Sequence, residues 1–260
     1  MDTTEILALY DEEQRRRIEY TSLRREETLH VVRHVDLLGT TLGGVVIYSR
    51  LDENNADEVI REQRDYFQKL GQNLEWKHYE HDTPPDLKSR LTSQGFETDE
   101  AEAIVALDLE DIPQQLLQPQ PLDVRRITDP AQLSDVMLVQ DEVWEAANTV
   151  GQRAQLEYEM LHAPETISLY VAYAEGRPVS SAWIRFHETS QFASLWGGST
   201  LPDYRQRGIY TAMLAARAQE AMERGVRFLT VDAGPMSRPI LEKLGFRVLT
   251  ISTPCKYRVK

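Results

Sequence analysis

Residues 200–214 read Thr-Leu-Pro-Asp-Tyr-Arg-Gln-Arg-Gly-Ile-Tyr-Thr-Ala-Met-Leu, and this stretch decides the fold. A predicted strand over 192–200 leads into a short turn that contains Arg205 and Gly208, and a helix is predicted directly after it. The first amides of a helix have no intrahelical partner, and the helix dipole makes that end partly positive. Glycine lets the backbone approach an anion without a Cβ in the way. The turn therefore predicts a binding site for a diphosphate.

The same turn resembles the coenzyme A-binding signature of the GNAT superfamily of N-acetyltransferases. In that signature, two residues separate an Arg or Gln from a Gly, and one further residue separates this Gly from a Gly or Ala. Tyr210 occupies the last small-residue position and departs from it. A second family element, the "LGF" at the end of a helix, is found at Leu244-Gly245-Phe246. The resemblance covers about residues 122–260, and the matching residues of the turn are Pro202, Tyr204, Arg205, Gly208 and Ile209.

This resemblance implies an α+β fold of α/β/α layers, with a mixed, largely antiparallel sheet that is splayed between its fourth and fifth strands. Acetyl-CoA would be the co-substrate, and its pantetheine arm would pair with the backbone of residues 198–200. The thioester carbonyl would accept a backbone N–H there, beside a bulge that suits Gly197-Gly198. No metal is implied. The expected contacts with acetyl-CoA are Gly198, Ser199, Thr200, Leu201, Arg205, Gln206, Arg207, Gly208, Ile209, Tyr210 and Thr211.

The residues that would carry out proton transfer depart from the family pattern. Relatives often place a tyrosine in the last helix to protonate the leaving thiolate, and Leu241 stands at that position. Ser237 is a candidate donor, although capping the helix is an alternative role for it. Cys255 is a second candidate, with structural burial as the alternative. The fourth strand contains no carboxylate, so the candidates for a general base are Asp141, Glu145, His187 and Glu188.

Other large or polar residues lie on elements expected near the acceptor. Trp144, Trp183 and Trp196 would either pack in the core or line an apolar part of the acceptor pocket. Gln140 is the single polar residue on the apolar stripe of the helix that follows Asp129-Pro130. Asp232, after the fifth strand, is interpreted as the start of a turn.

The first half of the chain is predicted to be a smaller, degenerate GNAT-like α/β domain. The predicted division is a domain over 1–112, which opens with a helix at 4–26, a Pro- and Gln-rich linker over 113–121, and the acetyltransferase domain over 122–260. Residues 74–96 and 226–246 each show a strand, a Pro-started helix and Gly-Phe. Coincidental α/β similarity is the alternative. The junction over 49–57 has no glycine and three carboxylates, so it should not bind coenzyme A.

Composition excludes several classes of function. The net charge is −13, and the whole acidic excess lies in residues 1–121. This charge disfavours binding to nucleic acid and to anionic membranes. It would attract an amine-bearing acceptor, and a solvated acidic surface that only aids solubility is the alternative. A single cysteine excludes an internal disulfide framework and a multi-cysteine zinc site. No apolar run approaches the ~20 residues of a membrane span, and residues 1–5 do not resemble a secretory signal. We therefore expect a cytoplasmic protein, with a homodimer as the default assembly.

Three functions follow from these observations. The first is an N-acetyltransferase that moves an acetyl group from acetyl-CoA to the amine of a small molecule by direct attack. The second is a non-catalytic, acyl-CoA-binding or regulatory GNAT-like protein, because the expected acid and base are missing. The third is a purely structural α+β protein that binds no coenzyme A.

Overall fold

The computed structural model describes residues 1–118, 121–144 and 146–259, and it divides into two compact units. Unit 1 contains Met1–Val105, Asp232–Glu242 and Arg247–Lys260, whereas unit 2 contains Ala106–Val231 and Lys243–Phe246. The C-terminal segment therefore belongs to the same unit as the N-terminal half of the chain.

Unit 2 is built on a largely antiparallel sheet with one parallel pair, as the fold class predicts. Its order is β11-β10-β9-β8-β7, and only the pairing of β10 with β11 is parallel. The sheet therefore has the mixed character expected of a GNAT fold. The strands are β7 (Asp123–Ile127), β8 (Ile167–Ala174), β9 (Arg177–Phe186), β10 (Phe192–Thr200) and β11 (Phe228–Ala233), whose last two residues count with unit 1.

The helices of unit 2 follow the local signals in the sequence. Asp129 accepts a hydrogen bond from the Ala131 amide and so caps the 3-10 turn before α5. Gly225 adopts a left-handed conformation (φ 74°) after the last helix of the unit, as a residue after a helix end commonly does. Apolar side chains of α5, α6, β8 and β9 form one core. The helices are α4 (Gln114–Leu117), α5 (Leu133–Trp144), α6 (Ala146–His162) and α7 (Ile209–Glu223).

The strands of unit 1 follow the order β1-β2-β3-β4-β12, with the short β5 beside β12. The C-terminal strand β12 pairs antiparallel with β4. β6 begins in unit 1 and ends in unit 2. The strands are β1 (Leu23–Glu27), β2 (Val31–Asp36), β3 (Gly44–Ser49), β4 (Leu74–Tyr79), β5 (Glu97–Thr98), β6 (Glu102–Asp108) and β12 (Arg247–Tyr257).

The core of unit 1 lies between its sheet and two helices. Trp76, Phe67 and Leu91 are fully buried there, together with Cys255. Because Gly71 is left-handed (φ 66°), it ends the amphipathic helix α2 at the predicted place. The helices are α1 (Thr3–Tyr10), which continues as a π-helical segment to Arg16, α2 (Ala56–Leu70), α3 (Leu87–Ser93) and α8 (Arg238–Lys243), whose last residue counts with unit 2.

Two predictions of secondary structure are wrong. The helix predicted over 4–26 ends at Arg16, and Leu23–Glu27 instead forms the edge strand β1, paired with β2. Its alternating charges suit an edge strand, where Glu26 forms an ion pair with Arg33 of β2. The sequence after Gly245 also predicts two strands, but the structure has a single long strand, β12, which continues along β4.

The segment predicted as a linker is partly packed in unit 2. Leu116 in α4 is fully buried, and its carbonyl accepts a hydrogen bond from Gln219 of α7 at 2.9 Å. Pro119 and Gln120 lie outside the described residues. The predicted domain boundaries remain a prediction.

Candidate coenzyme A site

Strands β10 and β11 separate soon after they begin. They pair only from Phe192–Ser194 to Phe228–Thr230, although β10 continues for six more residues, to Thr200. Four of those six residues, Leu195, Trp196, Ser199 and Thr200, pair with β9 on the other side. The structure therefore confirms the predicted splay between the fourth and fifth strands of this sheet.

The turn after β10 has the backbone that the signature predicts. Leu201 is buried and anchors a 3-10 turn over Pro202–Tyr204. Gln206 and Gly208 have positive φ values of 61° and 79°, and α7 begins at the next residue, Ile209. No side chain caps this end of α7. Its first amides are therefore free of the usual side-chain acceptor.

The surface of this turn is exposed and carries positive charge. Residues 205–208 are all exposed. The Arg205 side chain donates to the Thr200 carbonyl at 3.1 Å, and the Arg207 guanidinium lies 5.1 Å from the centre of the Tyr204 ring. A Cβ placed on Gly208 would have no atom within 4 Å, so open space lies in front of this residue. The predicted residues thus lie together on an exposed, positively charged turn at the start of a helix, a position that suits an anion.

The predicted bulge lies in β10, where its register against β9 shifts between Trp196 and Ser199. Gly197 has φ 61°, and a Cβ there would lie 1.9 Å from the ring of Trp183. Only glycine fits this position. The Gly197 carbonyl accepts a hydrogen bond of 2.7 Å from the side chain of Gln140.

Hydroxyl groups hold the last part of β10 in place. The Ser180 hydroxyl donates to the Ser199 carbonyl at 2.7 Å and lies 2.9 Å from the Thr200 hydroxyl. Trp144 donates its indole N–H to the Ser199 hydroxyl at 2.8 Å. Two different elements, α5 and β9, thus hold the segment that the pantetheine arm is expected to pair with.

Tyr210, the departure from the signature, turns its ring towards β10. Its Cε2 atom lies 3.5 Å from the point where a Cβ on Gly198 would be. Burial raises the pKa of Tyr210, while the nearby Arg217 guanidinium lowers it. The side chain is therefore not directed away from the sheet. It lies against Gly198, although the signature has a small residue in place of Tyr210.

The candidate proton donors lie in different surroundings. Ser237 stands just before α8, and its hydroxyl donates to the Gly234 carbonyl at 3.3 Å. Leu241, at the position of the family tyrosine, is fully buried. Burial raises the pKa of the Cys255 thiol to about 11, and the thiol donates to the Thr253 carbonyl within the core of unit 1. These surroundings favour the structural role for Cys255, and a catalytic role for Ser237 remains a prediction.

The candidate bases are dispersed. Asp141 accepts a hydrogen bond from Thr149, His187 lies 3.4 Å from the Ser194 hydroxyl, and Glu188 is exposed. Glu145 lies outside the described residues. Asp232 does more than begin a turn, because it forms an ion pair with Lys77 in unit 1. Among the described residues, no three His, Cys, Asp or Glu side chains are grouped to hold a metal ion.

The three tryptophans differ in environment. Trp183 is 2% exposed and belongs to the core of unit 2. Trp196 is partly buried and donates to the Ser194 hydroxyl at 2.8 Å. Trp144 is 55% exposed. Core packing therefore accounts for Trp183, whereas Trp144 and Trp196 retain surface that a ligand could contact.

Sequence reasoning overlooked the role of Gln140 in the bulge. It was recognised only as an interruption of an apolar stripe, yet the side chain is 1% exposed and hydrogen-bonded on β9 and β10. A buried amide is costly unless it is satisfied, so that interruption was itself the signal.

A comparison with family models matches residues 135–246 to the acetyltransferase (GNAT) family. The matched segment contains both elements on which the resemblance depends, the turn at 205–210 and the "LGF" at 244–246. A sequence search of curated proteins found no significant match.

Solved structures of GNAT proteins share the fold along almost the whole chain. A GCN5-related N-acetyltransferase from Kribbella flavida has a TM-score of 0.70 and 15% identity, with 98% of this chain and 95% of that chain covered. A tandem GNAT protein from the clavulanic acid biosynthesis pathway has a TM-score of 0.61 and 13% identity, covering 99% and 88%. A GCN5-related N-acetyltransferase from Sphaerobacter thermophilus has a TM-score of 0.62 and 13% identity, with 90% of this chain and 82% of that chain covered. At these identities the likeness shows the fold alone. None of the helices in the described part of the chain could span a membrane.

Proposed function

We propose that the domain at residues 135–246, which belongs to the GNAT acetyltransferase family, transfers an acetyl group from acetyl-CoA to the amine of a small molecule. The first half of the chain carries the whole net charge of −13, which supports a cationic acceptor. A cytoplasmic location and a homodimer remain predictions.

One observation carries this proposal: the uncapped N-terminus of α7 lies behind an exposed turn with positive charge. Gly208, directly before the helix, is left-handed, and a Cβ on it would have no atom within 4 Å. Arg205 and Arg207 stand on the same exposed turn. A diphosphate would satisfy the amides and interact with the partial positive charge of the helix end. The residues that would hold it are those of the signature, 205–211.

The expected chemistry is a direct transfer. The amine nitrogen attacks the thioester carbonyl carbon, a C–N bond forms, the C–S bond breaks, and the amine loses a proton while the thiolate gains one. Negative charge develops on the carbonyl oxygen during attack, and a fixed backbone N–H at the bulge would stabilise it. The bulge at Gly197-Gly198 supports this role because neither residue stands directly opposite a residue of β9.

The N-terminal half is proposed not to bind coenzyme A. The junction between β3 and α2 corresponds to the phosphate-binding turn, and Asp52 there accepts hydrogen bonds from the amides of Asn54 and Asn55, at 2.8 and 3.0 Å. A carboxylate of the chain itself thus occupies the donors that an anion would need. This arrangement supports a degenerate GNAT-like domain.

A second function is supported by the missing catalytic groups. Leu241 cannot donate a proton, and β10 carries no carboxylate between Phe192 and Thr200. An acyl-CoA-binding or regulatory protein needs neither group. Both functions require binding of coenzyme A, so turnover distinguishes them.

The test is release of free thiol from acetyl-CoA in the presence of a panel of primary amines, including amino acids, polyamines and amino sugars. We expect at least one amine to raise the rate above hydrolysis, with an acetylated product of the matching mass. Binding of coenzyme A without transfer to any amine would favour the binding protein. Absence of binding would favour the purely structural protein.

A further inference from the structure

A buried amide side chain connects α5 to the bulge of β10. Gln140 is 1% exposed, and its Nε2 donates to the Gly197 carbonyl at 2.7 Å and to the Ser181 hydroxyl at 2.8 Å. Its Oε1 accepts from the Ser199 hydroxyl at 3.4 Å. Both amide hydrogens and the carbonyl oxygen are thus used, in a helix face that is otherwise apolar.

The bond to Gly197 fixes more than one atom. A trans peptide unit is planar, and its C=O and N–H point in opposite directions. Because Gln140 holds the Gly197 carbonyl towards α5, the N–H of Gly198 in the same peptide unit must point away from α5. The shift of register leaves Gly198 without a directly opposite residue in β9.

The surroundings restrict the alternatives for this peptide unit. The ring of Trp183 fills the space beside Gly197, whose φ is 61°. Glycine backbone is otherwise free to rotate, and two consecutive glycines would leave the peptide plane poorly determined. Gln140 supplies the constraint that the glycines themselves lack.

We propose that Gln140 is a positioning residue, which orients the Gly197–Gly198 peptide so that the Gly198 N–H is the donor to the thioester carbonyl. This inference depends on the proposed function of the same site. Gln140 itself does not contact the reacting atoms. It acts by preventing the peptide from turning its carbonyl towards them, which would replace a donor by an acceptor.

The test uses the full chain with Gln140→Met, which keeps the length of the side chain but removes both donors, and with Gln140→Glu, which keeps the shape. The probe is acetyl-CoA labelled with ¹³C at the carbonyl, observed by infrared difference spectroscopy. In the wild type we expect the bound carbonyl stretch to lie at lower frequency than in water. Both variants should lose this shift, and kcat should fall about tenfold to a hundredfold.

Binding of unacetylated coenzyme A provides the comparison, because it lacks the carbonyl. Its Kd should be unchanged in the variants, whereas a general structural defect would weaken it. Gln63→Met is the matched control: Gln63 is also buried, but it lies in α2 of unit 1, where it accepts a hydrogen bond from Arg33. This control should keep the wild-type carbonyl frequency and kcat.

The outcomes separate the two proposals. If the wild type binds no coenzyme A, the proposed function fails. If it binds and turns over, but the variants retain the carbonyl shift and kcat, the role of Gln140 is refuted while the function stands. Should both variants fail to fold, the wild-type Gly198 amide proton decides by NMR. It should move downfield with acetyl-CoA but not with coenzyme A, and equal shifts would overturn the proposal.

Discussion

Replacing Gly208 by glutamate perturbs the proposed anion site at its centre. The substitution places a carboxylate in front of the first amides of α7, where the diphosphate is expected. Open space surrounds this position, since no atom lies within 4 Å of a Cβ on Gly208. The variant should therefore fold, and its effect on ligand binding should be electrostatic.

The magnitude follows from two terms. A side chain at φ 79° costs about 1–2 kcal/mol of stability, because this left-handed region is disfavoured for L-residues. Two unit charges about 4 Å apart repel by about 1 kcal/mol in water and by about 4 kcal/mol at an effective dielectric constant of about 20. At this exposed turn we expect a value between these limits, so coenzyme A should bind about ten to a hundred times more weakly.

The assay is calorimetric titration with coenzyme A, with Gly225→Glu as the matched control. Gly225 is also exposed, left-handed (φ 74°) and free of atoms within 4 Å, but it lies after the opposite end of α7. Both variants should lose similar stability, and only Gly208→Glu should lose affinity. Equal affinity of the two variants for coenzyme A would refute the proposal that the turn at Gly208 binds the diphosphate.

Three further predictions concern stability. Gly197→Ala should lower the free energy of unfolding in urea by about 2–4 kcal/mol, because its Cβ would lie 1.9 Å from the ring of Trp183. Gly198→Ala should lower it less, because the nearest atom to its Cβ would lie at 3.5 Å. Equal losses in the two variants would contradict the packing argument. Arg185→Met should lower the free energy of unfolding by about 3–5 kcal/mol, because it leaves Glu159 buried without the guanidinium now 2.9 Å away. The double variant Arg185→Met, Glu159→Leu should regain most of that stability. A double variant as unstable as the single one would contradict this prediction. Burial lowers the pKa of His34 to about 4, so between about pH 4 and about pH 6.5 the unfolded chain binds more protons than the folded chain. The free energy of unfolding should therefore fall as the pH drops through this range. His34→Gln should flatten this slope, and an unchanged slope would refute the role of His34.

The turn at 205–208 was predictable because its signals are local. A strand, a turn with glycine and the start of a helix lie within 192–211. The positions of Gly71 and Gly225 at helix ends were predictable for the same reason. Such signals need no knowledge of distant contacts.

Features that depend on distant partners were not predictable in the same way. The charged residues of β1 are also typical of a helix, and only pairing with β2 makes them a strand. The C-terminal strand pairs with β4, about 180 residues earlier in the chain. Nothing in the sequence of either strand identifies the other as its partner. The direction of the Tyr210 ring and the bond from Gln140 to Gly197 likewise depend on how α5, α7 and β10 pack.

A crystal structure of the chain with coenzyme A would test the proposed site without mutation. Diphosphate oxygens should lie about 2.7–3.2 Å from backbone nitrogens in the segment 206–211. The pantetheine arm should lie along residues 198–200 of β10. Coenzyme A bound elsewhere, or a diphosphate held without these amides, would refute the proposed site.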